Sequence, residues 1–164
     1  MPELSPKERL QPSLLDRLTD DEPDRRQEGP DKRFFTLERL RNVVKRDLAW
    51  LLNTCNLAAT DDLGECSEVA ASVLNYGIPD LTGRNLSGVD VESVERLVKQ
   101  AILAFEPRIL RHSVRVKATL DPERMSHNSL TFEIHGELWA QPAPVDIVLR
   151  TDFDLEAGLV SVRD

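Results

Sequence analysis

Little in this chain of 164 residues supports cross-linking, metal binding or membrane insertion. Its two cysteines, Cys55 and Cys66, make no metal or redox spacing and read as reduced thiols of a cytosolic protein. No apolar run approaches the roughly 20 residues that span a bilayer. Met1-Pro2-Glu3-Leu4-Ser5 lacks the apolar stretch of a secretory signal, so a cytoplasmic location is expected. Seven scattered glycines form no phosphate-cradling loop, and no Gly-x-Ser-x-Gly elbow occurs. Basic residues are outnumbered, 21 against 29 acidic, for a net charge of −8. Without a basic stripe, such a chain is poorly suited to nucleic acid, where phosphate neutralisation carries most of the affinity. What is present is a soluble globular composition, 40% hydrophobic and 30% charged. The length fits one ordinary domain able to bury roughly 70% of its unfolded surface.

Residues 1–33 stand apart. About half are charged, proline recurs, and apolar residues are sparse, so the stretch reads as a flexible extension that cannot offset its ordering entropy. One island, Pro12 to Leu18, has Ser13 as a helix cap, Asp16 completing a capping-box-like pair, and Leu14, Leu15 and Leu18 on one stripe. So short a helix must dock, either on its own domain or on a partner. The body, 34–164, reads as a single domain. Leu37, Leu40, Val44, Leu48 and Leu51 predict a helix over Thr36 to Asn53, with Arg39, Arg41, Lys45 and Arg46 on a solvated rim. A short helix is expected over Glu68 to Leu74, followed by a turn in which Gly77 is free to take positive φ. Val91, Val94, Leu97, Val98, Ala101, Ile102 and Phe105 predict a second long helix, capped by Asp90 and stopped by Pro107.

Beyond Pro107 the period changes to two. Val114 to Leu120, Leu130 to Leu138, and Val145 to Leu149 each alternate apolar with polar, and Leu159 to Val162 makes a short fourth strand. Hairpins near Met125 and Gln141-Pro142 would oppose Lys117 to Glu133 and Arg150 to Glu133, a register supported by opposite charges. The fold class is therefore α+β, with N-terminal helices packed on a small antiparallel (mixed) sheet from the C-terminal half.

Several residues are candidates for function. Continuing the alternation back from Val114 puts Glu106 and Arg108 on the core side of an extended Glu106-Pro107-Arg108 segment. There the charges must be neutralised by each other or by another polypeptide. The residues alone favour a salt bridge ending the helix at the rim of the core over an exposed hook for a partner. A hydrolase could use Glu106 as its acid, but nothing places the second carboxylate that it needs about 5–9.5 Å away. His112, His127 and His135 share no ligand spacing, and His135 between Glu133 and Glu137 reads as part of a solvated charged strand. Trp50 reads as core. Trp139 falls on the solvent side of its strand, an interface candidate or a cap on the sheet's end. Val160 and Val162 lie on a last strand that could accept a strand from another chain if it forms the sheet's edge.

Together these stretches resemble a known family. Ser13 to Leu18, Arg46-Asp47-Leu48-Ala49-Trp50-Leu51-Leu52-Asn53, Ser72 to Gly83 with its Leu-Asn-Tyr-Gly-Ile-Pro-Asp core, and Phe105-Glu106-Pro107-Arg108 resemble, in order, the TssE subunits of type VI secretion baseplates. Leu130 to Ile134, Gly136 to Trp139 and Leu149 to Thr151 continue the likeness through the sheet. That family is related to the phage T4 baseplate wedge protein labelled lysozyme-like. Cys66-Ser67 departs from it, standing where Tyr-Pro is common. The resemblance implies a non-enzymatic subunit of a contractile injection machine, at the inner-membrane-associated baseplate of a bacterium. Its implied partners are TssF, TssG and TssK in the wedge and the TssB/TssC sheath, whose first strands an open sheet edge would accept. Glu106, Pro107 and Arg108 are implied to dock to the wedge; Leu14, Leu15, Leu18, Trp139, Val160 and Val162 are candidate contact residues from the reading of the residues alone. No cofactor, nucleic acid or direct membrane insertion is expected, and peptidoglycan hydrolysis through Glu106 is the alternative.

Overall fold

The computed structural model describes residues 13–19, 24, 36–81, 90–119, 129–140 and 143–164. Leu120, the expected turns near Met125 and Gln141-Pro142, and the rest of the N-terminal extension lie outside the described residues.

Among the described residues, four α-helices precede four strands. Helix α1, Leu14–Leu18, starts at Ser13, whose hydroxyl accepts the Asp16 N–H at 3.4 Å. Helix α2, Leu37–Leu52, is capped by the Thr36 hydroxyl, which accepts the Arg39 N–H at 3.1 Å. Helix α3, Ser67–Ala70, ends after one turn, and a separate 3-10 turn covers Val73–Asn75, so the expected helix over Glu68 to Leu74 is broken in two. The Ser72 hydroxyl, which accepts the Leu74 N–H at 3.2 Å, caps the second piece. Helix α4 spans Val91–Phe105. No helix among the described residues is long and apolar enough to cross a membrane.

The strands β1 (Arg115–Thr119), β2 (Ser129–Leu138), β3 (Val145–Asp154) and β4 (Leu159–Arg163) form one sheet in the order β1-β2-β3-β4, every pair antiparallel. Lys117 lies opposite Glu133, and Glu133 opposite Arg150, the register that the charges dictate. One face of the sheet is buried. Leu40, Val44, Leu48 and Leu51 of α2 and Val94, Val98 and Ile102 of α4 share a core with Phe132, Ile134, Leu149 and Phe153. Phe132 and Phe153 meet edge to face with ring centres 5.2 Å apart. Thr151, fully buried in this core, donates to the Phe132 carbonyl at 3.1 Å, so its polarity is satisfied.

Two details fix how the helices meet the sheet. Gly77 has φ +119, and a Cβ there would lie 2.2 Å from the Thr54 carbonyl oxygen. The missing side chain lets Ile78 bridge to the end of α2, its N–H donating to the Thr54 carbonyl at 2.9 Å. Helix side chains also occupy backbone groups at both sheet edges. The Glu95 carboxylate of α4 accepts the Ala118 N–H of β1 at 2.7 Å. The Asn53 amide at the end of α2 binds Val160 of β4.

Candidate functional site

Where α4 ends, the chain turns under α2. Glu106 caps α4, and the Ile109 N–H donates to its carbonyl at 3.3 Å across a turn that holds Pro107 in its second position. The segment is thus a turn and not the extended strand expected from the alternation. Tertiary pairing takes over at once: the Arg108 carbonyl accepts the Trp139 N–H at 2.7 Å, and the Leu110 N–H donates to the Glu137 carbonyl at 2.8 Å. The turn is thereby stitched to the end of β2, with Trp139 beside Arg108.

Glu106 points inward and is 4% exposed. Both of its carboxylate oxygens accept from the Arg108 guanidinium, with Nε to Oε1 at 2.7 Å, and the Arg108 backbone N–H adds a third bond at 3.1 Å. The same guanidinium reaches Asp47 Oδ2 of α2 at 2.6 Å. Asp47 Oδ1 in turn accepts Arg46 Nε at 2.9 Å, and Arg46 Nη1 reaches Asp16 of α1 at 2.7 Å. The result is an alternating chain, Asp16–Arg46–Asp47–Arg108–Glu106, that ties α1, α2 and the turn after α4. Three carboxylates against two guanidiniums leave it one negative charge. Bidentate and charge-assisted bonds of this kind fix geometry as well as charge.

The charges shift one another as their placement requires. Burial acts to lower the Arg108 pKa, but Glu106 and Asp47 outweigh it, and the guanidinium is held above its ordinary value. Burial likewise acts to raise Asp16, yet the bonds from Arg46 and Ser13 prevail and the carboxyl lies below its usual range. Arg46 is raised, chiefly by Asp16. Tyr76, packed edge to face on Phe105 at 5.2 Å, is raised first by burial and then by Asp47 and Glu106. A groove of about 260 Å³ opens over this chain, lined among others by Leu15, Trp50, Tyr76, Phe105 and Arg108.

The charges of Glu106-Pro107-Arg108 turn inward onto each other and Asp47, the salt bridge at the rim of the core that the residues alone favour over an exposed hook; of the three residues only Pro107 is exposed. Two expectations change here. Arg46 is not a solvated rim residue, because Asp16, Asp47 and the face of Trp50, 4.9 Å away, all hold it. Trp50 is 50% exposed and is not core. It stacks under Arg46 at the groove's edge. The structure brings Leu15, Glu106, Arg108 and Trp139 to one region, while Val160 and Val162 lie apart on β4. Leu14, Leu18 and Trp139 are exposed.

A family model for baseplate wedge protein gp25 matches residues 38–143, more than half of the chain. The chain belongs to the baseplate wedge gp25 family. The match to the wedge family holds α2, α4, β1 and β2, and with them Arg46, Asp47, Glu106, Arg108 and Trp139. Asp16 precedes it, and β3 and β4 follow it. No curated protein sequence matches. A crystal structure described as a "putative tail lysozyme" from Geobacter sulfurreducens aligns with a TM-score of 0.46 and 18% identity over 71% of this chain and 93% of that one, a likeness too slight to bear on chemistry.

Sequence reading missed Asp47 and Asn53 as organising residues. The signal was there for Asp47: it sits one turn from Val43 and from Leu51, beside the apolar stripe of α2, where a carboxylate needs a cation.

Proposed function

We propose that this wedge-family chain is a non-enzymatic structural subunit of a type VI secretion baseplate, equivalent to TssE. In this reading it docks to TssF and TssG, alongside TssK, through the surface around Glu106, Pro107 and Arg108. It then starts the TssB/TssC sheath through an edge of its sheet. The family match over 38–143 carries the reading. The geometry supports it, because the Glu106–Arg108 pair is rigidly held at the floor of a groove edged by Leu15 and Trp50. Such preorganised charges rimmed by apolar and aromatic surface suit a docking site. A role without catalysis is supported by Glu106 itself. Both its oxygens accept from Arg108, so neither faces a substrate as a proton donor.

The test is co-expression with TssF and TssG followed by size exclusion. A Glu106→Gln/Arg108→Gln variant replaces the ion pair by neutral amides and leaves Asp47 its contact with Arg46. We expect wild type to co-elute and the folded double variant to be lost from the complex. Co-elution of both at equal level would remove Glu106 and Arg108 from the interface. Failure of wild type to co-elute would overturn the type VI assignment and make lysis of peptidoglycan the next assay.

A further inference from the structure

At the outer edge of the sheet, the side chain of Asn53 behaves as a piece of backbone. Its Oδ1 accepts the Val160 N–H at 2.9 Å, and its Nδ2 donates to the Val160 carbonyl at 2.8 Å. The second Nδ2 hydrogen is used on the Ala49 carbonyl at 2.7 Å, which anchors the amide to α2. Val160 lies opposite Phe153 in the antiparallel β3–β4 pair, and its N–H and C=O both point away from β3. Those are the groups that an added strand would take. By the same alternation Val162, two residues on, presents its backbone outward as well.

We propose that Asn53 is a displaceable latch on the β4 edge, filling the position of one residue of an incoming antiparallel strand until that strand replaces it. This rests on the proposal that the sheet edge accepts strands, and adds which edge, which residue guards it and what the strand must carry. A primary carboxamide sets an acceptor and a donor side by side, the pair that the C=O and N–H of one strand residue present to the residue opposite. Exchange of Asn53 for one residue of the strand therefore conserves both bonds on Val160, and the exposed Asn53 amide is released to water. The other edge differs. Glu95 on Ala118 accepts only, and its charge would face the carbonyls of an incoming strand, so it closes β1.

The occupant is an extended segment of a second polypeptide with an apolar side chain facing Val160. Residues paired across strands share a face, and Val160 packs toward the core. Beside it a recess of about 210 Å³ is lined by Leu52, Ile78, Leu81, Phe153 and Leu155. Backbone bonds would give affinity and this recess would select the side chain.

The experiment measures the lag of TssB/TssC sheath assembly seeded by the full chain, with hydrogen exchange at Val160 read on the same samples. Asn53→Ala frees the edge, and Asn53→Asp keeps the bond from the Val160 N–H but sets a carboxylate against its carbonyl. We expect Val160 exchange about tenfold faster in Asn53→Ala, an intermediate rate in Asn53→Asp, and a lag that shortens in the same order. Val162→Pro, which removes an outward N–H without touching the latch, is expected to abolish seeding. If Val162→Pro abolishes seeding while both Asn53 variants, with β2 and β3 amides still protected, seed like wild type, the edge stands and the latch is wrong. Loss of seeding in a folded Asn53→Ala also overturns the latch, because Asn53 would then be a contact for the strand. Seeding by Val162→Pro at the wild-type rate would overturn the edge itself. Should Asn53→Ala fail to fold, Asn53→Asp decides the matter alone.

Discussion

Replacing Arg108 by alanine perturbs the molecule most tellingly. The Glu106 side chain is 3% exposed and receives three bonds from residue 108, two of them from the guanidinium. The substitution leaves only the backbone N–H at 3.1 Å, and it also frees Asp47 from its 2.6 Å contact. Stranding one member of a buried pair costs about 3–5 kcal/mol. Because the Arg108 side chain is itself 27% exposed, we take the lower end, ~3 kcal/mol. For a domain of this size that lowers Tm by about 6–12 °C, and with an m value of about 2 kcal/mol/M it moves the urea midpoint down by roughly 1.5 M. The assay is urea unfolding followed by circular dichroism, with Glu106→Gln/Arg108→Met as the control. The double variant removes both charges of the pair and leaves Asp47 its contact with Arg46, so it is expected to be milder than the sum of its parts by at least ~1.5 kcal/mol. An Arg108→Ala loss below about 0.5 kcal/mol, or additive effects in the cycle, would refute the claim that Glu106 is sealed and dependent on Arg108.

Three further outcomes follow from the geometry. Gly77→Ala forces a side chain into positive φ against the Thr54 carbonyl, 2.2 Å away, and is expected to destabilise by at least ~2 kcal/mol, measurable as a drop in urea midpoint. Glu133→Lys sets like charges against Lys117 and Arg150 and is expected to cost about 1 kcal/mol by thermal melting, with partial recovery in Lys117→Glu. The folded-state pKa of Asp16 is lowered, so its contribution to α1 docking is full above the unfolded carboxyl value and is lost as pH falls through the folded value. Trp50 emission in a Trp139→Phe variant, titrated from pH 6 down to pH 2, should therefore stay flat to below pH 4 and change only under it. A change centred at or above pH 5 would contradict the Asp16–Arg46 contact.

Much of the architecture was legible in the residues because it is set by local periodicity. The 3.6-residue recurrence of Val91 to Phe105 and of Leu40 to Leu51 names two helices and their buried faces, and Thr36 and Asp90 mark where they begin. Period-two alternation names the strands. Charges on their solvent sides choose the register in which Lys117 and Arg150 flank Glu133, since a shift by one residue would expose every apolar side chain. A positive φ at Gly77 was likewise open to a residue without Cβ.

What only the tertiary structure decided is which polar groups meet. Periodicity tells which way Arg46 and Asp47 face but not what faces them. Their partners Asp16 and Arg108 lie 30 and 61 residues away and are chosen by how α1, α2 and the turn after α4 cross. The pair at Glu106 and Arg108 was visible as a charge problem; that it is solved internally, with Asp47, depends on that crossing. Asn53 looked like a helix-ending residue and nothing more. Its amide meets Val160, 107 residues on, only because the last strand packs along α2. The sequence by itself thus determined the elements and their apolar faces, because those follow from the backbone's own repeat. The pairing of charges and the guarding of the sheet's edge came from the packing of those faces, which brings together residues that no local pattern relates.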